Sequence, residues 1–379
     1  MSSINRKNFL DNIRWITILV VVFFHIFFYY NNIGVTPMFR GLAENSSVEG
    51  VAPTITFAGI YQYAVYQWFM LLLFIISGIC ARFSLENKTK KQFLKDRVRK
   101  LLVPSTLGII TFQWVGGYLI FLQQFPSQEA TKIPGFVQYL IWVACGIGPL
   151  WFCQVLFVAC LLLVLIKTID KKNKLLILGS KSNIIVLILL EVVMWGAAQI
   201  LNMPMITTYR MCYYPLAFLL GYFVFSEEKV LNLLKKWGIL FLAAGIAFGV
   251  VYTYMFYGTY YAEYEVLNHP ISVANAYFTT LGFLGVGQHI FNFSNSFSAY
   301  MNKAGWGIYI CHIFVLLVTN TLLIPVVGSV PMMVIYLIEL VAAFFGSIVL
   351  WEVLSRIPLI RWLLFGIKKV KKEVENVQG

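Results

Sequence analysis

Charge is scarce in this sequence. Only 12% of its 379 residues are Asp, Glu, Lys or Arg, and just 16 are acidic. A soluble domain carries about 25% charged residues, so the composition excludes an ordinary soluble globular chain. Cysteine is sparse too, at six residues, and histidine numbers four. No Cys-x-x-Cys pair or zinc-ligand spacing occurs, so no metal site is expected. Cys80, Cys145, Cys153, Cys160, Cys212 and Cys311 fall in or near apolar stretches and read as small hydrophobes packed between helices. No small-residue cleavage site follows the first apolar run, which ends in Tyr29-Tyr30-Asn31-Asn32. That run, preceded by Arg6 and Lys7, reads as a retained helix rather than a signal peptide. There is no transporter-like internal repeat, and no segment outside the apolar runs is long enough for a folded soluble module.

What is present is apolar bulk. Hydrophobic residues make up 60% and aromatics 17%, and the mean hydropathy is +0.78. Stretches of roughly 20 mostly apolar residues, the length of a spanning helix, lie near 13–30, 59–81, 101–122, 150–167, 183–200, 211–226, 237–256, 270–290, 304–324 and 331–355. The expected fold is therefore all-α, a polytopic membrane protein of about ten transmembrane helices. The segment 134–146, short and bounded by Gly and Pro, reads as a re-entrant or interfacial piece.

The net charge of +13 does not indicate nucleic acid, because of where it sits. With the N-terminus inside, 26 of the 29 Lys and Arg fall on the cytoplasmic side, and only Arg40, Lys132 and Arg210 fall outside. This asymmetry predicts cytoplasmic N- and C-termini and an even helix count. Residues 1–367 form one transmembrane domain, and 368–379 form a basic cytoplasmic tail suited to anionic lipid. The sequon at Asn45 has no role outside a eukaryotic secretory pathway.

Ionisable residues inside apolar helices are costly and mark functional routes. Arg14 and His25 are eleven residues apart, about 20° past three full turns, so they share a helix face with roughly 16 Å between them. Asp11, three residues before Arg14, is placed to pair with it. The run Lys95-Asp96-Arg97-Val98-Arg99-Lys100 makes a cationic mouth at the start of helix three, suited to phosphates or serving as a topology signal. Glu191, Trp195 and Gln199 form a polar stripe expected to face the bundle interior, as interhelical glue or as chemistry. His312, at mid-depth in helix nine, is placed about 6 Å shallower than His25.

These marks together resemble the acyltransferase-3 family of bacterial membrane acyltransferases. Leu10-Asp11-Asn12-Ile13-Arg14 followed by His25 is similar to its first-helix signature. Phe74-Ile75-Ile76-Ser77-Gly78 resembles its apolar Ser-Gly stretch. Arg97-Val98-Arg99-Lys100-Leu101-Leu102-Val103-Pro104 resembles its RxxR-Leu-Leu-x-Pro entry, with Lys100 in place of the second arginine. Leu150-Trp151-Phe152 opens helix four, and Ile308-Tyr309-Ile310-Cys311-His312 resembles a Tyr-x-x-His element.

The resemblance implies a stand-alone acyltransferase in the bacterial cytoplasmic membrane. It would move an acyl group, acetyl or similar, from cytoplasmic acyl-CoA to a hydroxyl, less often an amine. The acceptor would be a surface glycan, a lipid-linked sugar or a small molecule. No cofactor is implied beyond acyl-CoA as co-substrate, and no nucleic-acid partner. In this reading His25 is the base, which needs a neutral imidazole. Arg14, Arg97, Arg99 and Lys100 bind the donor, and Asp11, Trp151, Glu191 and His312 support. The rival class is a proton-coupled transporter or flippase using His25, Glu191 and His312 as a relay; a scaffold without chemistry is a third.

Overall fold

The structure, a computed structural model, describes residues 7–30, 55–124, 132–202, 204–326 and 329–368. The C-terminal tail beyond Lys368 and the Asn45 sequon lie outside the described residues. Everything regular among the described residues is helical. The first half holds α1 Asn8–Tyr30, α2 Phe57–Tyr66, α3 Phe69–Glu86, α4 Lys90–Arg97, α5 Trp114–Gln124, α6 Gly135–Cys145, α7 Trp151–Ile169, α8 Lys174–Ser180 and α9 Ile184–Ala198. The second half holds α10 Tyr213–Leu220, α11 Glu228–Phe256, α12 Tyr264–Asn268, α13 Pro270–Ile290, α14 Ser296–Leu323, α15 Met332–Val341, α16 Ser347–Leu354 and α17 Pro358–Phe365.

Each predicted span coincides with helix. Seven helices are long and apolar enough to cross a membrane by length and composition. Of the other three, Ile184–Ala198 and the helix from Tyr213 to Phe225 are shorter, while Pro270–Ile290 is diluted by Asn275, Thr279, Thr280 and Gln288. The protein is thus an all-α polytopic membrane protein. The 134–146 segment is the 11-residue α6, too short to span, with no fully buried residue. It lies against α5, where Tyr118 meets Trp142 at 4.9 Å.

Close helix approach rests on missing side chains, since lipid supplies no hydrophobic drive between helices. A Cβ on Gly78 of α3 would collide with the Phe218 carbonyl of α10, and one on Gly221 with the Ile75 carbonyl. In the pair α11 and α13, a Cβ on Gly238 would lie 2.8 Å from the Gly285 backbone.

Among the described residues, three helices contain turns wound i to i+5, one of them at Gly221–Phe225. In the third span Val103 N–H donates to Val98 C=O at 2.9 Å, and Gly108 N–H to Val103 C=O at 3.0 Å, around Pro104, which has no N–H to give. In the last span a wide turn at Ala342–Gly346 joins α15 to α16. It keeps Ile335, Glu339, Ala343, Ser347 and Trp351, spaced by four, on one buried stripe.

Candidate functional site

The site lies where α1 packs along α14, with α3, α7, α10 and the start of the third span around it. Polar N-caps mark two of the helix starts here. Asn295 and Ser298 cap α14 reciprocally, and Thr89 and Gln92 cap α4.

At the Arg14 end a cavity of about 390 Å³ opens. Four cations line it: Arg14, Arg97, Lys100 and Lys303, and no Asp or Glu lines it among the described residues. Arg14 is held from two sides, donating from Nη1 to Asp11 at 3.2 Å and from Nη2 to the Cys80 sulfur at 2.9 Å. Arg97 lies over the Phe93 ring at 4.7 Å and has no carboxylate partner among the described residues; its Nε is buried without an acceptor. A cation left with unused donors at a cavity wall is ready for an anion. One wall is α17 and its exit. Trp306 Nε1 donates to Phe365 C=O at 3.1 Å, and Gly366 turns left-handed (φ 62°) against the Arg99 carbonyl, where a Cβ would collide.

Deeper in, the lining becomes apolar, with Ile18, Leu73, Phe152, Leu156, Phe218 and Tyr309. Beyond Ile18 and Tyr309 stand two histidines. His25 Nδ1 and His312 Nε2 are 3.3 Å apart, and the rings lie 5.1 Å centre to centre. His312 is fully buried and His25 is partly exposed. Each Nδ1 also meets a backbone carbonyl at 2.8 Å, Val21 for His25 and Tyr309 for His312. Tyr309 itself is fixed, its hydroxyl donating to Pro149 C=O at 2.6 Å and its ring stacked on Trp306 at 5.9 Å.

The predicted residues divide cleanly by place. Arg14, Arg97 and Lys100 line the cavity; Asp11 braces Arg14; His25 and His312 meet. Arg99 does not join them; a three-residue step back along the helix pairs it with Asp96 at 3.0 Å. Trp151 lies outside the cavity, between the rings of Tyr209 (6.0 Å) and Tyr214 (5.6 Å). Glu191 touches neither cluster. Its stripe sits at the rim of the bundle, not inside it, for α9 is peripheral and Trp195 is 38% exposed. There Trp195 and Gln199 both donate to the Asn268 carbonyl, at 3.2 and 2.8 Å, while Arg210 reaches the neighbouring Leu267 carbonyl at 3.1 Å. This is glue between elements.

The 6 Å depth difference expected between the histidines is absent. His25 is 17 residues into α1 and His312 is 16 into α14, because α14 starts eight residues before its apolar stretch. The Asn-x-x-Ser capping box at Asn295 was the signal for that start, and it would also have put Lys303 on the helix rather than in a loop. Sequence reasoning also missed Glu339, near the middle of the last span. It is buried and accepts from the Tyr30 hydroxyl at 2.8 Å.

Comparison with known proteins adds a family. A profile of the acyltransferase-3 family, described as an acyltransferase domain, matches residues 7–352. The chain is also similar to the glucans biosynthesis protein C of Shigella boydii serotype 4, at 25% identity across 97% of this chain and 96% of the relative. Proteins of the same name from two Escherichia coli strains match at the same identity and coverage. No solved structure matches the chain significantly.

Proposed function

The chain belongs to the acyltransferase-3 family of membrane acyltransferases, and on that premise we propose that it transfers an acyl group from acyl-CoA to a glycan hydroxyl. The observation that carries this reading is the pairing of a four-cation cavity with a histidine pair along the same two helices. CoA presents phosphates, for which Arg14, Arg97, Lys100 and Lys303 are suited, and a slender pantetheine arm, for which the apolar inner lining is suited. The arm would pass between Ile18 and Tyr309 to bring its thioester to His25.

His25 takes the proton of the acceptor hydroxyl as its oxygen attacks the thioester carbonyl carbon. The carbon–sulfur bond then breaks, and the departing thiolate takes the proton back from His25. The products are an acyl ester and CoA thiol. No acyl-enzyme is needed, and no serine–histidine–acid arrangement is brought to this site among the described residues. The excess of basic residues at the Arg14 end supports a cytoplasmic donor and an acceptor approaching from the opposite side. The name shared by the relatives favours a glucan as that acceptor, in a bacterial cytoplasmic membrane.

The test uses the purified full chain in lipid vesicles, with short acyl-CoAs and a glucan oligosaccharide. Release of free CoA thiol together with an acylated oligosaccharide by mass spectrometry is the expected result. Oligosaccharide or proton movement across the vesicle membrane with no CoA released would instead favour the transporter reading and end this one.

A further inference from the structure

The two histidines are joined in a way that assigns a distinct task to each nitrogen. Carbonyl oxygens only accept hydrogen bonds, so a ring nitrogen resting on one carries its proton there. His312 Nδ1 lies 2.8 Å from Tyr309 C=O and 3.2 Å from Ile308 C=O, which puts its proton on Nδ1 and leaves Nε2 an acceptor. His25 Nδ1 lies 2.8 Å from Val21 C=O, so it too bears the proton. That same N–H faces His312 Nε2 at 3.3 Å. The one ring nitrogen left with a lone pair and no protein partner among the described residues is His25 Nε2.

We propose that His312 is the positioning residue of this site, holding His25 by Nδ1–H so that Nε2 is the atom that accepts the substrate proton. This rests on the acyl-transfer reading above and says which histidine does which part of it. When His25 takes the proton at Nε2, both its nitrogens carry hydrogen and the ring becomes cationic. The Nδ1–H then donates to the His312 lone pair and the Val21 carbonyl, so charge develops against two acceptors already in place and needing no reorganisation. A triad carboxylate does the same for its histidine, here replaced by a neutral ring. Burial supports the division: His312, shut away from any substrate, can act only through His25, whereas the partly exposed His25 can be reached. His312 does not move in this scheme, its ring fixed by two carbonyls of its own helix.

Three substitutions separate positioning from packing. In His312→Gln the side-chain oxygen reaches about where Nε2 stands and can accept from His25. In His312→Asn the polar atoms reach only the Nδ1 position, and in His312→Ala there are none. With acetyl-CoA and a glucan oligosaccharide, His312→Gln should keep kcat within roughly tenfold of wild type. His312→Asn and His312→Ala should lose on the order of 10²- to 10⁴-fold, as when a base loses its correct tautomer. Donor KM should be unchanged in all three. Equal kcat for Gln and Asn, or a donor KM rising with the loss of kcat, would overturn the proposal.

A second measurement needs no variant and no turnover. The chain has only four histidines, so ring-nitrogen NMR of the ¹⁵N-histidine-labelled full chain can be assigned. His25 and His312 should both appear as the Nδ1–H form, and an Nε2–H form for His25 would overturn the proposal. A wild-type protein that releases no CoA sinks the acyl-transfer reading instead, and the NMR result still decides the hydrogen-bond assignment.

Discussion

The cation-lined cavity and the histidine pair share α1 and α14, yet they are built in opposite ways. At the mouth, Arg14, Arg97, Lys100 and Lys303 come from three segments of chain, and Arg14 keeps 39% of its side chain exposed. Long cationic side chains there can adjust to a ligand, and their attraction acts over several ångströms and weakens with salt. At the histidines the ring contacts are short and directed, and one partner is wholly buried. In the proposed reaction the charged mouth would gather and orient the donor, while the fixed pair would perform a step that depends on the position of single atoms. Binding and turnover should therefore respond separately to substitution.

The largest separation is expected at His25. His25→Ala should lower kcat by on the order of 10²- to 10⁴-fold, the usual contribution of a general base, with donor KM little changed. Steady-state kinetics on purified protein read both values, and near-normal turnover would make His25 a packing residue.

At the mouth the effect should be smaller and fall on the other parameter. Arg97→Gln removes a cation with no carboxylate partner of its own among the described residues. If it contacts a CoA phosphate, donor KM should rise roughly 10- to 100-fold, the equivalent of about 1.5–3 kcal/mol for a charge-assisted hydrogen bond. Wild-type donor affinity should fall as salt rises, and more gently in this variant. Lys100→Arg, which adds a planar fork, should hold or lower donor KM. An unchanged KM in Arg97→Gln would reduce the mouth to a topology signal.

The smallest effect is expected two residues along. Arg99→Gln should leave donor KM within about twofold of wild type, since Asp96 already holds Arg99 away from the cavity. A rise as large as that of Arg97→Gln would mean that general positive charge, not placement, binds the donor.

Much of this was legible one helix at a time. Eleven-residue spacing put Arg14 and His25 on one face, and a three-residue step paired Asp11 with Arg14 at 3.2 Å. Both follow from helical geometry alone. The run Arg97 to Lys100 was legible as cationic but not as divided. Three-residue steps group Arg97 with Lys100 and Arg99 with Asp96, but no helical period says which group faces the cavity and which is held by an ion pair. Glu191 and Glu339 show the same limit. Each is an acid within an apolar run, but one sits on a peripheral helix and the other is buried against Tyr30.

By itself the sequence determined the membrane class, the order of apolar segments, the excess of basic residues along one set of connections and the shared face of Arg14 and His25. These are local properties, set by how a single helix meets lipid and water. Only the tertiary structure decided that His25 meets His312, 287 residues away, and that Lys303 joins Arg14 and Arg97. The reason is that neighbours in a bundle are chosen by which helices can approach, through glycines such as Gly78 and Gly221 and through turns that widen. No periodicity within one segment records its partner's register.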